Sequence, residues 1–163
     1  MDRIAEVTQI PTSNSESFQI LRYEVGQRYA THHDSSMYDL WYKKNWQIPS
    51  NPILFICLLY FIRSQTKLAS GPRILTFFLY LSDVEEGGET SFPSLGISVK
   101  PKKGRALLWP STLSSDPNSI DGRTMHEAKP VIRGTKYAAN AWIHLYNFEH
   151  SNLWGCTGTF DNL

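Results

Sequence analysis

Cysteine is scarce in this sequence, and neither sign of charge is in marked excess. The 163 residues include only Cys57 and Cys156, too few for a disulfide framework, and a single bridge between the two is left open. The formal net charge is +1. Proteins that bind nucleic acid backbones usually carry a marked basic excess. The composition therefore argues against a disulfide-stapled fold, and the charge supports neither nucleic acid binding nor binding to a membrane surface.

Long apolar runs are also missing. The most apolar run covers residues 53–62 and has ten residues, whereas a membrane-spanning helix needs about 20. The first residues, MDRIAEVTQIPTS, carry acidic and polar side chains where a signal peptide has its apolar segment. Neither a membrane span nor a signal peptide is predicted. We interpret the apolar run as a buried strand or hairpin, or as part of an atypical insertion over residues 47–69.

The remaining composition, 41% hydrophobic and 19% charged, is typical of a soluble globular protein, and we expect a single domain over residues 1–163. Short apolar segments alternate with turn residues, which favours a mainly β sandwich or barrel preceded by a short helix over residues 3–10. The pattern predicts strands over 18–25 and 73–84, a hairpin over 97–110 with Gly104 at its turn, a loop over 114–122, and a last strand pair formed by 125–132 and 136–145.

Two histidines and an aspartate form the first candidate site. His32 and Asp34 form an H-x-D motif, and His126 opens a predicted strand far along the chain. Residues two apart on a strand project to the same side, so His32 rather than His33 is the expected partner of Asp34. Two imidazoles and a carboxylate can hold one face of Fe(II) and leave the other open, as in non-haem iron oxygenases. Taken singly, each residue could be structural, and a zinc site is the competing metal interpretation.

Lys136 begins a predicted strand whose alternation places Lys136, Ala138, Asn140 and Trp142 on one face. This face combines a lysine, a small residue, an amide and an indole. Such a mixture is more typical of a pocket lining than of a solvent-exposed face or an apolar core. A buried lysine needs an anion, because an unpaired buried charge is costly. A dicarboxylate co-substrate would supply that anion. Tyr23 is either a second donor to it or a core aromatic residue.

Four segments together resemble one known family. The segments RYEVGQRYATHHD, RILTFFLYLSDVEEGGETSFP, VKPKKGRALLW and MHEAKPVIRGTKYAANAWI resemble the catalytic domain of prolyl 4-hydroxylases, which are Fe(II)- and 2-oxoglutarate-dependent dioxygenases. The resemblance covers residues 3–145 apart from the insertion. It implies a double-stranded β-helix, or jelly-roll, core with a short N-terminal helix.

The resemblance also implies a set of roles for individual residues. His32, Asp34 and His126 would bind the iron, and Lys136 would bind the C5-carboxylate of 2-oxoglutarate. Tyr23 would donate a hydrogen bond to the co-substrate. The pocket around it would be lined by Tyr29, Thr76 and Trp142. The implied reaction is hydroxylation of peptidyl proline by O2, with release of succinate and CO2 and with L-ascorbate keeping the iron reduced. Related halogenases lack the carboxylate ligand, so Asp34 favours hydroxylation.

The substrate is expected to be a proline-rich peptide or protein. Polyproline segments dock on aromatic grooves, and several aromatic residues follow the H-x-D motif closely enough to line one. These are Tyr38, Trp41, Tyr42 and Trp46. They could equally be loop aromatics that pack on the insertion. Two other functions stay open: an oxygenase acting on another residue or a small molecule, and a catalytically weak remnant that only binds.

The chain departs from the family pattern in two places. Relatives have further elements before the position of Met1, so the chain resembles a domain that starts late. The insertion over 47–69 replaces a shorter loop, and a mispredicted splice boundary would explain both features. By resemblance alone we expect the endoplasmic reticulum or secretory pathway as the location.

Overall fold

The computed structural model describes residues 1–35 and 69–153. Both cysteines, the four aromatic residues of the expected groove and the apolar run lie outside the described residues. Of the expected insertion over 47–69, only Ala69 lies within them.

The described chain is built from short strands with a helix near each end. Helix α1 covers Asp2–Thr8 and helix α2 covers Phe148–Leu153. The strands are β1 (Gln19–Tyr23), β2 (Tyr29–His32), β3 (Arg73–Tyr80), β4 (Glu86–Gly87), β5 (Thr90–Phe92), β6 (Ile97–Val99), β7 (Ala106–Pro110), β8 (Thr112–Leu113), β9 (Asp116–Ile120), β10 (His126–Ala128), β11 (Val131–Arg133) and β12 (Lys136–His144). Short 3₁₀ turns cover Thr12–Asn14, Pro93–Leu95 and Gly122–Thr124.

Two antiparallel four-stranded sheets form the body of the fold. The first, the major sheet, has the strand order β1-β12-β3-β7, and the second, the minor sheet, has the order β2-β10-β5-β6. Strands β4 and β11 pair beside them, as do β8 and β9. Most neighbours in the sheets are far apart in the sequence, as in a jelly roll. This mainly β architecture with a short N-terminal helix confirms the expected fold class.

The two central strands of the major sheet, β3 and β12, are largely buried on both faces, against different partners. On the inner face Ala138 packs with Phe78, Tyr80 and Trp109, and this cluster reaches Phe92 of the minor sheet. The outer face packs against α1 through a second cluster of Ile4, Phe77, Ala141 and Ile143. Strands buried on both faces are expected to be nearly continuously apolar, which explains the composition of β3. The inner cluster holds the two sheets together and forms the wall of the site described below.

Helix α1 is short because two residues stop it. The helix ends at Thr8, and Gln9 takes a left-handed conformation with φ 58°. Pro11 follows, and proline cannot continue a helix. The helix contributes Ile4 to the outer core, so the expected helix over 3–10 is confirmed within two residues at its C-terminal end.

Two predicted strand pairs were wrong. Residues 97–110 do not form a hairpin, because β6 pairs with β5 in the minor sheet while β7 pairs with β3 in the major sheet. Gly104 does lie in a turn, with φ 83°, but this turn carries the chain from one sheet to the other. The expected last strand pair fails as well: β10 pairs with β2 and β5, and β12 with β1 and β3. A turn signal marks a change of direction and does not identify the partner strand.

The predicted loop over 114–122 contains a strand. Residues Asp116–Ile120 form β9, which pairs with β8 through Thr112↔Ile120 and Leu113↔Asp116. Its composition, DPNSI, has residues that favour turns, so the strand is recognised only from its pairing with β8.

Candidate active site

Strand pairing brings the H-x-D motif and the third histidine together. His32 ends β2 and lies opposite His126, the first residue of β10. Their ring centroids are 4.3 Å apart. Asp34 follows β2, and its carboxylate oxygens lie 3.7 Å from His32 Nε2 and 3.6 Å from His126 Nε2. One nitrogen or oxygen atom of each residue lies within 4.8 Å of the other two. Three donor atoms from distant parts of the chain therefore converge on one point.

The hydrogen bonds of the two histidines determine which nitrogen faces that point. His32 Nδ1 lies 2.9 Å from the backbone oxygen of Ala30, and His126 Nδ1 lies 2.9 Å from that of Thr124. A carbonyl oxygen can only accept, so each Nδ1 carries the hydrogen. In a neutral ring Nε2 then presents a lone pair, and it does so toward the Asp34 carboxylate at a distance too long for a hydrogen bond. Converging lone pairs of this kind fit a cation, and metal-binding histidines are commonly oriented in this way.

Thr76 fixes the carboxylate of this group. Its hydroxyl donates to Asp34 Oδ2 at 2.6 Å, and the residue is fully buried on β3. Asp34 is 7% exposed and His126 is 5% exposed. The His126 ring packs against Trp109, with a centroid distance of 4.8 Å. Two of the three donor residues, Asp34 and His126, are thus buried, while the His32 side chain is 29% exposed. Thr76, which was expected to line the pocket, binds the carboxylate directly.

The number of ligands favours an open metal site. Among residues 1–35 and 69–153, His32, Asp34 and His126 form the only group of three or more His, Cys, Asp and Glu side chains placed to hold a metal. Structural zinc sites close with four protein ligands. Two imidazoles and one carboxylate with positions left over are the set used by non-haem Fe(II) oxygenases. His33 points elsewhere and is not part of the group.

Lys136 is buried and forms no salt bridge with another described residue, although the charge of Glu89 favours its ammonium form. It is 1% exposed, and its Nζ donates to the backbone oxygen of Gly88 at 2.8 Å. The ring centroids of Tyr23, Phe78 and Tyr80 lie between 5.4 and 5.5 Å from the same nitrogen. Burial lowers the pKa of Lys136 from 10.5 to about 8. An ammonium with one hydrogen bond and three aromatic faces around it fits an anion that arrives from outside the chain.

Two of the three rings near this lysine, Tyr23 and Tyr80, carry hydroxyl groups. Tyr23 lies opposite Lys136 in the pairing of β1 with β12, and burial raises the pKa of the Tyr23 phenol, with a further contribution from Tyr29. The Tyr80 hydroxyl lies 2.7 Å from Thr90 Oγ1, and both side chains are buried. We call Lys136, Tyr23, Phe78, Tyr80 and Thr90 the lysine pocket. Sequence reasoning missed Tyr80 and Thr90, although the period of two in β3 places Tyr80 on the same face as Thr76.

The remaining predicted pocket residues lie at different depths. Tyr29 is 52% exposed and packs edge-on against the His32 ring, with centroids 4.1 Å apart. Trp142 lies opposite Thr76 in the sheet, and its Nε1 is buried with no hydrogen-bond partner among the described residues. Asn140 is half-buried and donates to Gln19 Oε1 at 3.2 Å. Trp142 therefore fits the expected pocket wall better than Asn140 does.

A charged cluster behind the site was missed. Arg73 binds Glu16 through two nitrogens at 2.5 and 3.0 Å, and the Arg73 Nη1 lies 3.4 Å from the backbone oxygen of Asp34. His144 Nε2 lies 2.8 Å from Glu16 Oε1, and its Nδ1 lies 2.9 Å from the oxygen of Gly71. Burial alone would raise the pKa of Glu16, but the hydrogen bonds from His144 and Arg73 lower it. The sequence signal that could have indicated this cluster is Arg73, a charged residue at the start of an otherwise apolar strand.

Comparisons with known proteins agree with this geometry. The model of the 2OG-Fe(II) oxygenase superfamily matches residues 18–144. The chain is 35% identical over 168 residues to the probable prolyl 4-hydroxylase 8 of Arabidopsis thaliana, with 91% of this chain and 48% of that protein covered. It is 35% identical over 142 residues to prolyl 4-hydroxylase subunit alpha-1 of Homo sapiens, with 87% and 22% covered.

A solved structure is similar as well. The viral collagen prolyl hydroxylase from Paramecium bursaria Chlorella virus-1, in its 2OG complex, has a TM-score of 0.60 and 29% identity. The match covers 88% of this chain and 72% of that one. In contrast, the chain spans about half or less of the length of the curated relatives named above, 48% and 22% respectively. None of the helices in residues 1–35 and 69–153 is long and apolar enough to cross a membrane.

Proposed function

The chain belongs to the 2OG-Fe(II) oxygenase superfamily, and from that membership we propose that it hydroxylates proline residues of a peptide or protein. The co-substrates are 2-oxoglutarate and O2, and the products besides the hydroxylated peptide are succinate and CO2. The observation that carries the proposal is the convergence of His32, Asp34 and His126 within 4.8 Å, with lone pairs facing inward. The names of the prolyl 4-hydroxylases that the chain resembles support proline as the target.

His32, Asp34 and His126 are the proposed ligands of Fe(II). When bound, the iron together with 2-oxoglutarate and O2 supplies the oxidising power for a C–H bond, and the protein orients and shields the reactants. Thr76 holds the Asp34 carboxylate through its 2.6 Å hydrogen bond, so the carboxylate keeps one orientation. Trp109 and Phe92 pack against the His126 ring and exclude water from that side.

The lysine pocket is the proposed site for the C5-carboxylate of 2-oxoglutarate. Lys136 supplies the charge, and the hydroxyls of Tyr23 and Thr90 are the proposed neutral donors. The carboxylate would give the buried ammonium a salt bridge, which it lacks among the described residues. Such a partner favours the charged form of Lys136, so we expect its pKa to rise when 2-oxoglutarate binds. Tyr29 and Trp142 are the proposed walls between this pocket and the metal ligands.

The substrate is proposed to be a proline-rich segment. The aromatic residues expected to bind it lie outside the described residues, so the proposal depends on the relatives and on the half-exposed Tyr29 beside His32. L-ascorbate is expected to sustain turnover by reducing oxidised iron. Location in the endoplasmic reticulum and a single domain with an insertion over 47–69 remain predictions.

Turnover tests the proposal. The purified chain with Fe(II), 2-oxoglutarate and ascorbate should release succinate faster when a proline-rich peptide is added, and the peptide should gain one oxygen atom. The control is the same peptide with every proline replaced by alanine. A folded, iron-loaded sample without peptide-stimulated turnover would contradict the proposal. Stimulation by both peptides would point instead to another target residue.

Two substitutions test the assigned residues. His126→Ala should abolish turnover, since it removes one of three metal ligands. Lys136→Ala should chiefly raise the 2-oxoglutarate concentration needed for half-maximal rate. Full activity of His126→Ala would refute the ligand assignment, and an unchanged 2-oxoglutarate requirement in Lys136→Ala would refute the assignment of the pocket.

A further inference from the structure

His33, the middle residue of the H-x-D motif, is built into a hydrogen-bond network on the side opposite the metal ligands. The side chain is buried, with the residue 8% exposed. Its Nδ1 lies 3.0 Å from the backbone nitrogen of Ser35, and its Nε2 lies 3.1 Å from the backbone oxygen of Asp121. Nε2 also lies 3.3 Å from Thr124 Oγ1. Both ring nitrogens therefore contact specific groups on two separate segments.

The chemistry of these partners determines the direction of each bond. A backbone N–H can only donate, so Nδ1 accepts from Ser35 and carries no hydrogen. The hydrogen of the neutral ring is on Nε2, which donates to the oxygen of Asp121. Burial lowers the pKa of His33, in agreement with a neutral ring. The ring thus links the chain just after Asp34 to the turn that begins at Asp121.

That turn is the segment that orients His126. The backbone oxygen of Asp121 accepts from Thr124 Oγ1 at 2.9 Å and from Thr124 N at 3.1 Å, which closes the 3₁₀ turn Gly122–Thr124. The oxygen of Thr124 lies 2.9 Å from His126 Nδ1. A continuous path of hydrogen bonds and one residue of backbone therefore connects His33 to His126. The same His33 ring fixes the bend at Asp34 from the other side.

We propose that His33 is a positioning residue, which fastens the H-x-D segment to the turn before His126 and so presets the three donor atoms for the metal. This inference rests on the proposed function, because it assumes that His32, Asp34 and His126 bind the metal. Asp34 and Ser35 lie beyond the end of β2, where the strand pairing with β10 no longer holds the chain. Groups that orient metal ligands typically change metal affinity by about 10- to 100-fold when they are removed.

Three substitutions separate the two hydrogen bonds of the ring. His33→Leu keeps a side chain of similar volume and removes both hydrogen bonds. His33→Asn can still accept from Ser35 N–H, in the manner of an Asx turn, but does not reach Asp121. His33→Gln can reach Asp121 with its amide group. We expect the metal affinity to fall by about tenfold in the leucine and asparagine variants, at the lower end of the usual effect of such groups, and by less in the glutamine variant.

The measurement is the dissociation constant for Co(II), followed by the absorption of the bound ion, on the full chain without 2-oxoglutarate. Thermal unfolding of the metal-free variants is recorded in parallel. Ile4→Ala is the matched control, because it destabilises the outer core next to α1 and touches no group of the site. It should lower the unfolding temperature and leave the Co(II) affinity unchanged.

The outcomes distinguish this inference from the proposed function. If His126→Ala binds Co(II) as tightly as the unaltered chain, the ligand assignment itself is wrong. If His126→Ala loses Co(II) while His33→Asn binds with the unaltered constant, the ligand assignment stands and the role of His33 is refuted. Should His33→Leu fail to fold, the order of the glutamine and asparagine variants decides the question, because only the glutamine variant can keep the link to Asp121. A weaker affinity in the asparagine variant than in the glutamine variant supports the proposal.

Discussion

Replacing Lys136 by methionine should make the protein more stable without 2-oxoglutarate and insensitive to 2-oxoglutarate. Burial lowers the pKa of Lys136 from 10.5 to about 8, and the charge of Glu89, which acts in the opposite direction, offsets only part of this effect. Each pKa unit corresponds to about 1.4 kcal/mol, so the charged lysine costs the folded state about 3 kcal/mol at pH 7. Methionine has no charge and nearly the same length, so it removes this cost.

The expected gain is smaller than the full cost. Lys136 Nζ donates to the oxygen of Gly88 at 2.8 Å, and methionine leaves that oxygen without this donor. A lost partner of this kind costs about 1 kcal/mol, so the net gain should be about 2 kcal/mol. The size of this gain depends on pH. The cost of the charge is complete below about pH 8, where the lysine is charged in the folded state. It is lost as the pH rises to 10.5, where the lysine of the unfolded chain also becomes neutral.

Urea denaturation of the metal-free protein at pH 7 and pH 10 measures this effect. The stability advantage of Lys136→Met should be present at pH 7 and shrink at pH 10. Lys103→Met is the matched control, since Lys103 is exposed and should show neither change. In a second experiment with Fe(II) present, 2-oxoglutarate at 100 times its dissociation constant should stabilise the unaltered chain by about 2.7 kcal/mol and leave Lys136→Met unaffected.

The result that would refute this reasoning is a Lys136→Met variant that is less stable than the unaltered chain by the same amount at both pH values. The lysine would then contribute through packing and hydrogen bonding, and its charge would not be uncompensated. Equal stabilisation of both proteins by 2-oxoglutarate would separately refute the lysine pocket as its binding site.

Three further predictions concern the carboxylates and one glycine. Thr76→Val should weaken Co(II) binding by about tenfold in a titration, because Asp34 loses its 2.6 Å hydrogen bond, while the fold is kept; an unchanged affinity would contradict this. Because the pKa of Glu16 is lowered in the folded state, the carboxylate stabilises the fold fully above its ordinary pKa of 4.5, and this stabilisation is lost as the pH falls through the lowered value. In urea denaturation, the free energy of unfolding of Glu16→Gln should therefore fall less steeply with pH below 4.5 than that of the unaltered chain. A variant that is equally acid-sensitive would argue against this. Gly87→Ala should lower the melting temperature more than Gly104→Ala. Both glycines have positive φ, but only at Gly87 would an added methyl group meet backbone atoms, those of Pro130 and Ile132. Equal effects of the two substitutions would contradict this steric argument.

Much of the candidate site could be predicted because its residues follow local rules. The period of two in a strand separates His32 from His33, and the structure keeps this separation: His32 faces Asp34 while His33 bonds to Asp121. The same rule placed Lys136 on a face with Ala138, and Lys136 proved to be buried. The metal and co-substrate roles of these residues remain predictions.

The residues that were missed act through contacts between distant segments. Glu16 lies 57 positions from Arg73 and 128 from His144. A glutamate in a polar loop carries no local mark of such partners. The wrong hairpin over 97–110 has the same cause, because turn residues indicate a reversal but not which sheet receives the next strand.

The sequence by itself determined the type of most elements, the side of each strand on which a residue lies, and the kinds of donor available for a metal and an anion. These depend on backbone geometry and side-chain chemistry, which act over a few residues. Only the tertiary structure decided that β2 pairs with β10, so that His32 meets His126, and that Lys136 is enclosed by three aromatic rings. Those arrangements depend on which distant strands bury their apolar faces together, and this choice is made by the whole core at once.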